Sequence, residues 1–170
     1  MGDVTPDTVI PTGKWTLYYH DTQEKKWSFE TFQLITTIAT WGDFWSLFRD
    51  PELSEKKILN GMFFLVQANV PPLWENHNNI RGGSYSLRIS QFDAYLLFLR
   101  YSIAALQGIA VKQTDDKIIC IEMSPKRGFN VLKLWNKDAG KFKNAKDLVL
   151  LDDNLKDGDA IFTPHLEKNM

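Results

Sequence analysis

The chain has one cysteine, Cys120, in 170 residues. No intrachain disulfide can form, which predicts a reducing compartment. Cys120 sits in the apolar, β-branched run "KIICIEM", the setting of a buried structural thiol rather than a nucleophile. Charge of one sign is lacking too: 20 Lys and Arg against 21 Asp and Glu leave a net charge of −1. That excludes a global pull toward nucleic acid or an anionic membrane, so any anion must be recognised locally. The most apolar run, "AYLLFLRYSIAAL", is interrupted by Arg100 and falls short of the ~20 residues that span a bilayer. The start, "MGDVTPDTVIPTG", has neither the basic nor the apolar region of a signal peptide. Gly2 is not in a myristoylation motif. The expectation is a cytoplasmic protein.

Catalytic motifs are equally scarce. His20, His77 and His165 lack metal-ligand spacing. Ser84 follows Gly82-Gly83 but not in a G-x-S-x-G context. No glycine-rich phosphate loop occurs. The sequence predicts no enzyme, no metal and no cofactor.

What is there is tryptophan, six of them: Trp15, Trp27, Trp41, Trp45, Trp74 and Trp135. Residues 1–12 read as a flexible leader before a single domain over 13–170. Segments 14–20 and 27–35 are rich in aromatic and β-branched residues and read as strands. Helix 40–50 has Thr40 as N-cap with Asp43 three residues on, and Pro51 as its stop. Strand 62–67 leads into a loop, "PPLWENHNNIRGGSY", and 84–90 alternates as a half-buried strand. A second helix is expected over 90–106, capped by Ser90. Segments 108–112 and 117–123 read as a hairpin around "QTDD". Ser124-Pro125 reads as the cap and first position of a third helix over 124–137. A last strand is expected over 146–153, then a polar tail. Together these predict an α+β fold: one curved antiparallel sheet with three helices on one face, and the other face free for a ligand.

Three groups of residues suggest binding. Trp27 and Trp74 lie at or in loops, where an indole suits stacking on a flat ligand; each could equally cap an apolar patch of the fold. A positively charged ligand would add cation–π attraction. Glu75, beside Trp74, offers acceptors only and matches a base edge with two N–H donors, as guanine has; stack plus edge describes nucleobase binding. Lys112 and Lys117 flank the "QTDD" turn. Facing each other across a hairpin they would repel, and an anion between them would offset that; neutralisation by Asp115 and Asp116 is the other reading. Trp41 and Trp45, one turn apart, widen the apolar face of the first helix beyond what packing on a sheet needs. That suggests either a docking patch or a large aromatic core.

The pieces "GKW", "KKWSF", "DFWSLF", "PPLWEN" and "NNIRGGSYSLRIS", in this order, resemble the mRNA cap-binding translation initiation factor 4E family. The resemblance runs from about Trp15 to Met123. It implies a curved antiparallel sheet of about eight strands backed by three helices on its convex face, with the 7-methylguanosine cap on the concave side. It implies a non-catalytic role in translation initiation or its regulation. Trp27 and Trp74 match the indoles that sandwich the methylated base, Glu75 the carboxylate on its edge, and Lys112 and Lys117 the basic pair on the triphosphate. Trp41 and Trp45 match the surface that docks a Tyr-x-x-x-x-Leu-hydrophobic helix from the scaffold factor 4G or a 4E-binding protein, on a chain monomeric alone. Five positions depart from the family pattern. Lys112 stands where Arg is usual, and Trp41 where a small apolar residue is usual. Tyr85 and Ile121 stand where Trp is usual, the second near the base's methyl group, and Gly42 stands where an acidic residue is usual. The alternative function is a scaffold or repressor with weak cap binding, acting through the helical surface.

Overall fold

A computed structural model describes residues 2–50, 53, 60–68 and 70–166. Among these the elements are β1 (Trp15–Asp21), β2 (Gln33–Ile38), α1 (Trp41–Arg49), β3 (Gly61–Gln67), β4 (Gly83–Ile89), α2 (Ala94–Gln107), β5 (Ile118–Lys126), β6 (Phe129–Asn136) and β7 (Ile161–Pro164). The strands form one curved sheet in the order β2-β1-β3-β5-β6-β4-β7. Every pairing is antiparallel. The architecture is the expected one, with seven strands and two α-helices among the described residues where about eight and three were expected.

Alternation along the strands builds two separate apolar layers. Trp15, Leu17, Phe63, Leu65, Tyr85, Leu87, Ile121, Met123, Leu132 and Leu134 point to the helical side and meet α1 and α2. Tyr18, Phe64, Val66, Cys120 and Trp135 point to the opposite, concave side, where Phe32 and Leu73 close over them. A sheet with one face packed on helices normally leaves its other face polar. Here that second face carries its own aromatic floor.

α1 forms as the sequence predicts. The Asp43 N–H donates to Thr40 Oγ1 (3.2 Å), and the Asp43 carboxylate accepts from the Thr40 and Ala39 N–H groups. These backbone bonds, Ala39 first, hold the Asp43 carboxyl below its ordinary range. The expected stop at Pro51 lies outside the described residues. α2 starts later than expected. Ser90 makes a local turn instead, its Oγ accepting from the Phe92 N–H, and Gly108 ends the helix in the left-handed region at φ 75°.

Three expected elements are corrected. Segment 124–137 is not a helix: β5 runs through Lys126, turns at Arg127-Gly128, and returns as β6 from Phe129. Gly128 takes the positive φ of 83° that a two-residue hairpin turn needs. Asn130, Leu132, Leu134 and Asn136 are buried at period two, which a helix cannot satisfy. Pro125 is tolerated because β3 pairs with β5 only as far as Met123, so the missing N–H faces an open edge. The expected hairpin between 108–112 and 117–123 does not form either. Val111 instead bridges Leu148, and the Lys112 N–H donates to Asp147 O (2.7 Å). Segment 146–153 contributes only that bridge. The polar tail supplies β7, paired with Gly83–Ser86 of β4. The segment expected to be a loose leader is tied to α1 at Pro6, Thr8, Val9 and Ile10.

Candidate ligand site on the concave face

Trp27 lies in the connection between β1 and β2, just before a single 3-10 turn at Phe29–Thr31. Its indole is half exposed (50%) and its ring stacks on His20, 4.2 Å between centroids and 10° between planes. His20 is fully buried on β1. Its Nε2–H donates to Lys26 O (3.2 Å), which holds the backbone next to Trp27.

Trp74 stands opposite, in the loop between β3 and β4. No regular element holds that loop; a buried amide does. Asn79 is fully buried, and its Nδ2 donates to Pro71 O (2.8 Å) and Leu73 O (2.7 Å), two carbonyls of the segment that leads into Trp74. The carbonyl of Asn79 accepts from His165 Nδ1 (2.7 Å). An acceptor there fixes the proton on Nδ1, so Nε2 receives the Ser84 Oγ–H (2.9 Å). The His165 ring packs against Trp74 and the edge of Trp135, at 6.2 and 5.3 Å. Ser84 and His165 are sealed, so this pair is scaffolding and not a nucleophile with its base. The two glycines before Ser84 answer to space. A Cβ on Gly82 would run into the Asn136 carbonyl, and one on Gly83 into the Phe162 ring and the Thr163 carbonyl.

Between the two indoles lies a cavity of about 350 Å³ lined by Trp27, Met62, Phe64, Trp74, Glu75, Glu122, Lys126, Lys133 and Trp135, among others. The expected stacking pair and Glu75 are thus brought to one depression, with Glu75 exposed at its side. The expected basic pair is not. Lys117 lines a different depression with Thr12, Gln67, Asp116 and Lys137. Lys112 turns its Nζ to Lys146 O (2.8 Å). The lysines at the indoles are Lys126 and Lys133, brought there by the β5–β6 hairpin. Trp135 and Glu122 also line the depression and were not anticipated. Trp135 Nε1–H donates to Glu122 Oε2 (3.0 Å). Glu122 Oε1 accepts from Ser124 Oγ (2.9 Å) and faces Lys133 Nζ (3.5 Å). Strand alternation over 129–136 was the available signal; with 124–137 taken as a helix, these residues had no common face.

Cys120 lies beside them in the concave layer and is fully buried. Burial first, and the Glu122 charge second, push its thiol well above the ordinary range.

On the opposite side of the molecule, Trp41 and Trp45 are separated in role. Trp41 is buried and packs edge-on against Phe44, so it belongs to the core. Trp45 is 42% exposed. A groove of about 300 Å³ lies along α1 between Val4, Thr5, Pro6, Trp41, Gly42, Trp45 and Arg49. Gly42 is required there: its N–H donates to Pro6 O (2.8 Å), and a Cβ would crowd that same oxygen.

The family model for Eukaryotic initiation factor 4E matches residues 12–159. Eukaryotic translation initiation factor 4E of Saccharomyces cerevisiae is 29% identical over 92% of this chain and 76% of its own length. Factor 4E1 of Drosophila melanogaster is 30% identical over 79% of this chain and 52% of its own length. Among solved structures, C. elegans eIF4E-3 in complex with the 4E-binding protein Mextli and a cap analog superposes with a TM-score of 0.77 at 18% identity, covering 95% of each chain. Ascaris suum eIF4E-3 with the m7G cap gives a TM-score of 0.63 at 19% identity over 78% of this chain and 74% of that one. At such identities the structures speak for the fold.

Proposed function

The chain belongs to the eukaryotic initiation factor 4E family, and from that premise we propose that it binds the 7-methylguanosine cap of mRNA in the cytoplasm, without catalysis, in translation initiation or its regulation. The observation that carries this reading is the meeting of Trp27, Trp74 and Glu75 at one depression. Methylation makes the guanine a cation. Two electron-rich indole faces then gain cation–π attraction over stacking on a neutral base. The Glu75 carboxylate accepts from the base edge. Trp135 supplies a third indole at the depression, in the role the family resemblance had assigned to the position of Ile121.

The phosphates are read by Lys126 and Lys133, the lysines that line the same depression. The family resemblance gave this role to Lys112 and Lys117, but the hairpin that would have set them facing each other does not form, and Lys117 lines a different depression. The experiment is a titration of tryptophan fluorescence with 7-methyl-GTP and with GTP. Strong quenching by the methylated ligand, roughly tenfold weaker binding in Lys126→Ala and Lys133→Ala, and little change in Lys117→Ala are expected; the charged hydrogen bonds at stake are worth ~1.5–3 kcal/mol each. Equal responses to both nucleotides sink the cap reading. A large loss in Lys117→Ala alone returns the phosphates to the original pair.

A second activity is favoured by the exposed Trp45 and its groove: docking of a helical Tyr-x-x-x-x-Leu-hydrophobic segment from the scaffold factor 4G or a 4E-binding protein. Trp45→Ala should abolish capture by such a peptide and leave 7-methyl-GTP binding untouched.

A further inference from the structure

Glu122 bonds two other residues that line the depression, Trp135 and Lys133. It lies on β5, directly across from Lys133 on β6, and two pairs along from the Cys120–Trp135 pair, on the same face of the sheet. Its carboxylate is nearly fully buried, yet it lines the cavity. Three donors converge on it: Trp135 Nε1–H, Ser124 Oγ–H and Lys133 Nζ. The first fixes an indole at the base end of the cavity; the last fixes an ammonium at the phosphate end. A buried carboxylate held this way is a fixed negative charge in a region of low polarisability, where its field reaches further than a surface charge would.

We infer that Glu122 is a specificity-determining residue of this pocket: a second carboxylate, besides Glu75, that favours a cationic base over a neutral one. The inference rests on the cap reading above and deepens it. Glu75 is exposed and suits donors on the base edge, which guanine and 7-methylguanine share. Stacking discriminates between them through the ring quadrupole. Glu122 adds a charge that acts on the difference itself, the extra positive charge, and needs no contact with the base to do so. Lys133 opposes it: the same ammonium that meets the phosphates masks part of the Glu122 charge. The ratio of affinities for 7-methyl-GTP and GTP is therefore set by the balance of this pair, because every contact common to the two ligands cancels in the ratio.

The test is that ratio, measured by fluorescence titration at slightly acidic pH where the methylated base carries its charge. Glu122→Gln keeps the shape and an acceptor for Trp135 while removing the charge. The ratio should fall roughly fivefold, through weaker 7-methyl-GTP binding and unchanged or tighter GTP binding. Lys133→Gln should weaken both ligands but raise the ratio. An unchanged or higher ratio in Glu122→Gln overturns the inference. If that variant does not fold, Lys133→Gln decides alone: a raised ratio supports it, and an unchanged or lowered one overturns it. A wild-type protein without preference for 7-methyl-GTP overturns the cap reading and this inference together. A wild type with that preference, and variants that keep its ratio, overturns this inference only.

Discussion

The two walls of the concave depression are held by opposite means. Trp27 is half exposed and rests on the flat face of His20 at 4.2 Å, with the Phe32 ring edge-on at 6.0 Å. Trp74 sits in a loop whose backbone is fastened by Asn79 and, through it, by His165. One wall is a ring laid on a ring, fixed by stacking and by the contacts of His20 Nε2 with Lys26 O and Thr31 Oγ1. The other is fixed by a buried polar network that joins Asn79, His165 and Ser84. Each presents an indole that belongs to no helix or strand itself. They differ in what their loss does to the rest of the molecule, since one borrows little from the core and the other is part of it.

The largest effect should come from breaking the network. Asn79→Ala removes a buried amide that binds the Pro71 and Leu73 carbonyls; Leu73 O keeps the Asn76 N–H (3.1 Å), and Pro71 O loses the Asn79 donor. Such an orphan costs about 1–3 kcal/mol. Both cap-resin retention and the thermal midpoint should fall; a variant with wild-type melting and retention would mean the loop is held otherwise. Trp74→Ala follows. It removes a stacking face worth ~1–3 kcal/mol, so 7-methyl-GTP binding should weaken ten- to a hundredfold while melting shifts less than in Asn79→Ala. For Trp27→Ala the loss of binding should be similar, but its melting curve should overlay the wild type, because half of that indole was in water already. A drop of several degrees would show the Trp27 wall to be as structural as its counterpart. His20→Phe sharpens the contrast further. It keeps a ring beneath Trp27 and gives up the Nε2 contacts with Lys26 O and Thr31 Oγ1; Nδ1 has no partner among the described residues to lose. Binding should weaken by roughly two- to tenfold, the scale of one ordinary hydrogen bond. Cys120 reports on the floor the walls share. With its thiol pushed up and buried, it should resist thiol reagents near neutral pH in wild type and Trp27→Ala, and react measurably faster in Asn79→Ala.

How much of this was readable beforehand depended on how locally each feature is encoded. Thr40 and Asp43 specify the start of α1 within four residues, and the structure has that cap. The Trp74 loop announces itself by its prolines and paired glycines. β4 shows clean alternation because one side meets the helices and the other is more polar. β6 was hidden because Trp135 is buried on the concave side while Leu132 and Leu134 are buried on the other, which blurs the alternation. Ser124-Pro125 then supplied a false helix start. With a helix there, Lys126 and Lys133 had no place beside the indoles. Lys126 and Lys133 reach the indoles only by strand register, and register depends on the turn at Gly128. Trp41 and Trp45 look equivalent on a helical wheel; it is the docking of Pro6 and Thr8 along the helix start, a contact far from local, that leaves only Trp45 half exposed. His165 could not have been connected to Trp74 at all, since nothing near it in the chain refers to a loop 86 residues earlier.

That separation orders events during synthesis. The loop that carries Trp74 leaves the ribosome well before β7, yet its fastening arrives with the C-terminal strand. A nascent chain can pair β1 with β2 and β5 with β6 from local contacts, but β4 gains its outer neighbour, and Asn79 its imidazole, only when Pro164 and His165 emerge. Long-range pairings of this kind are the slow ones. The Trp74 wall is therefore the last part of the depression to be fastened, after the Trp27 wall and the β5–β6 hairpin have their partners.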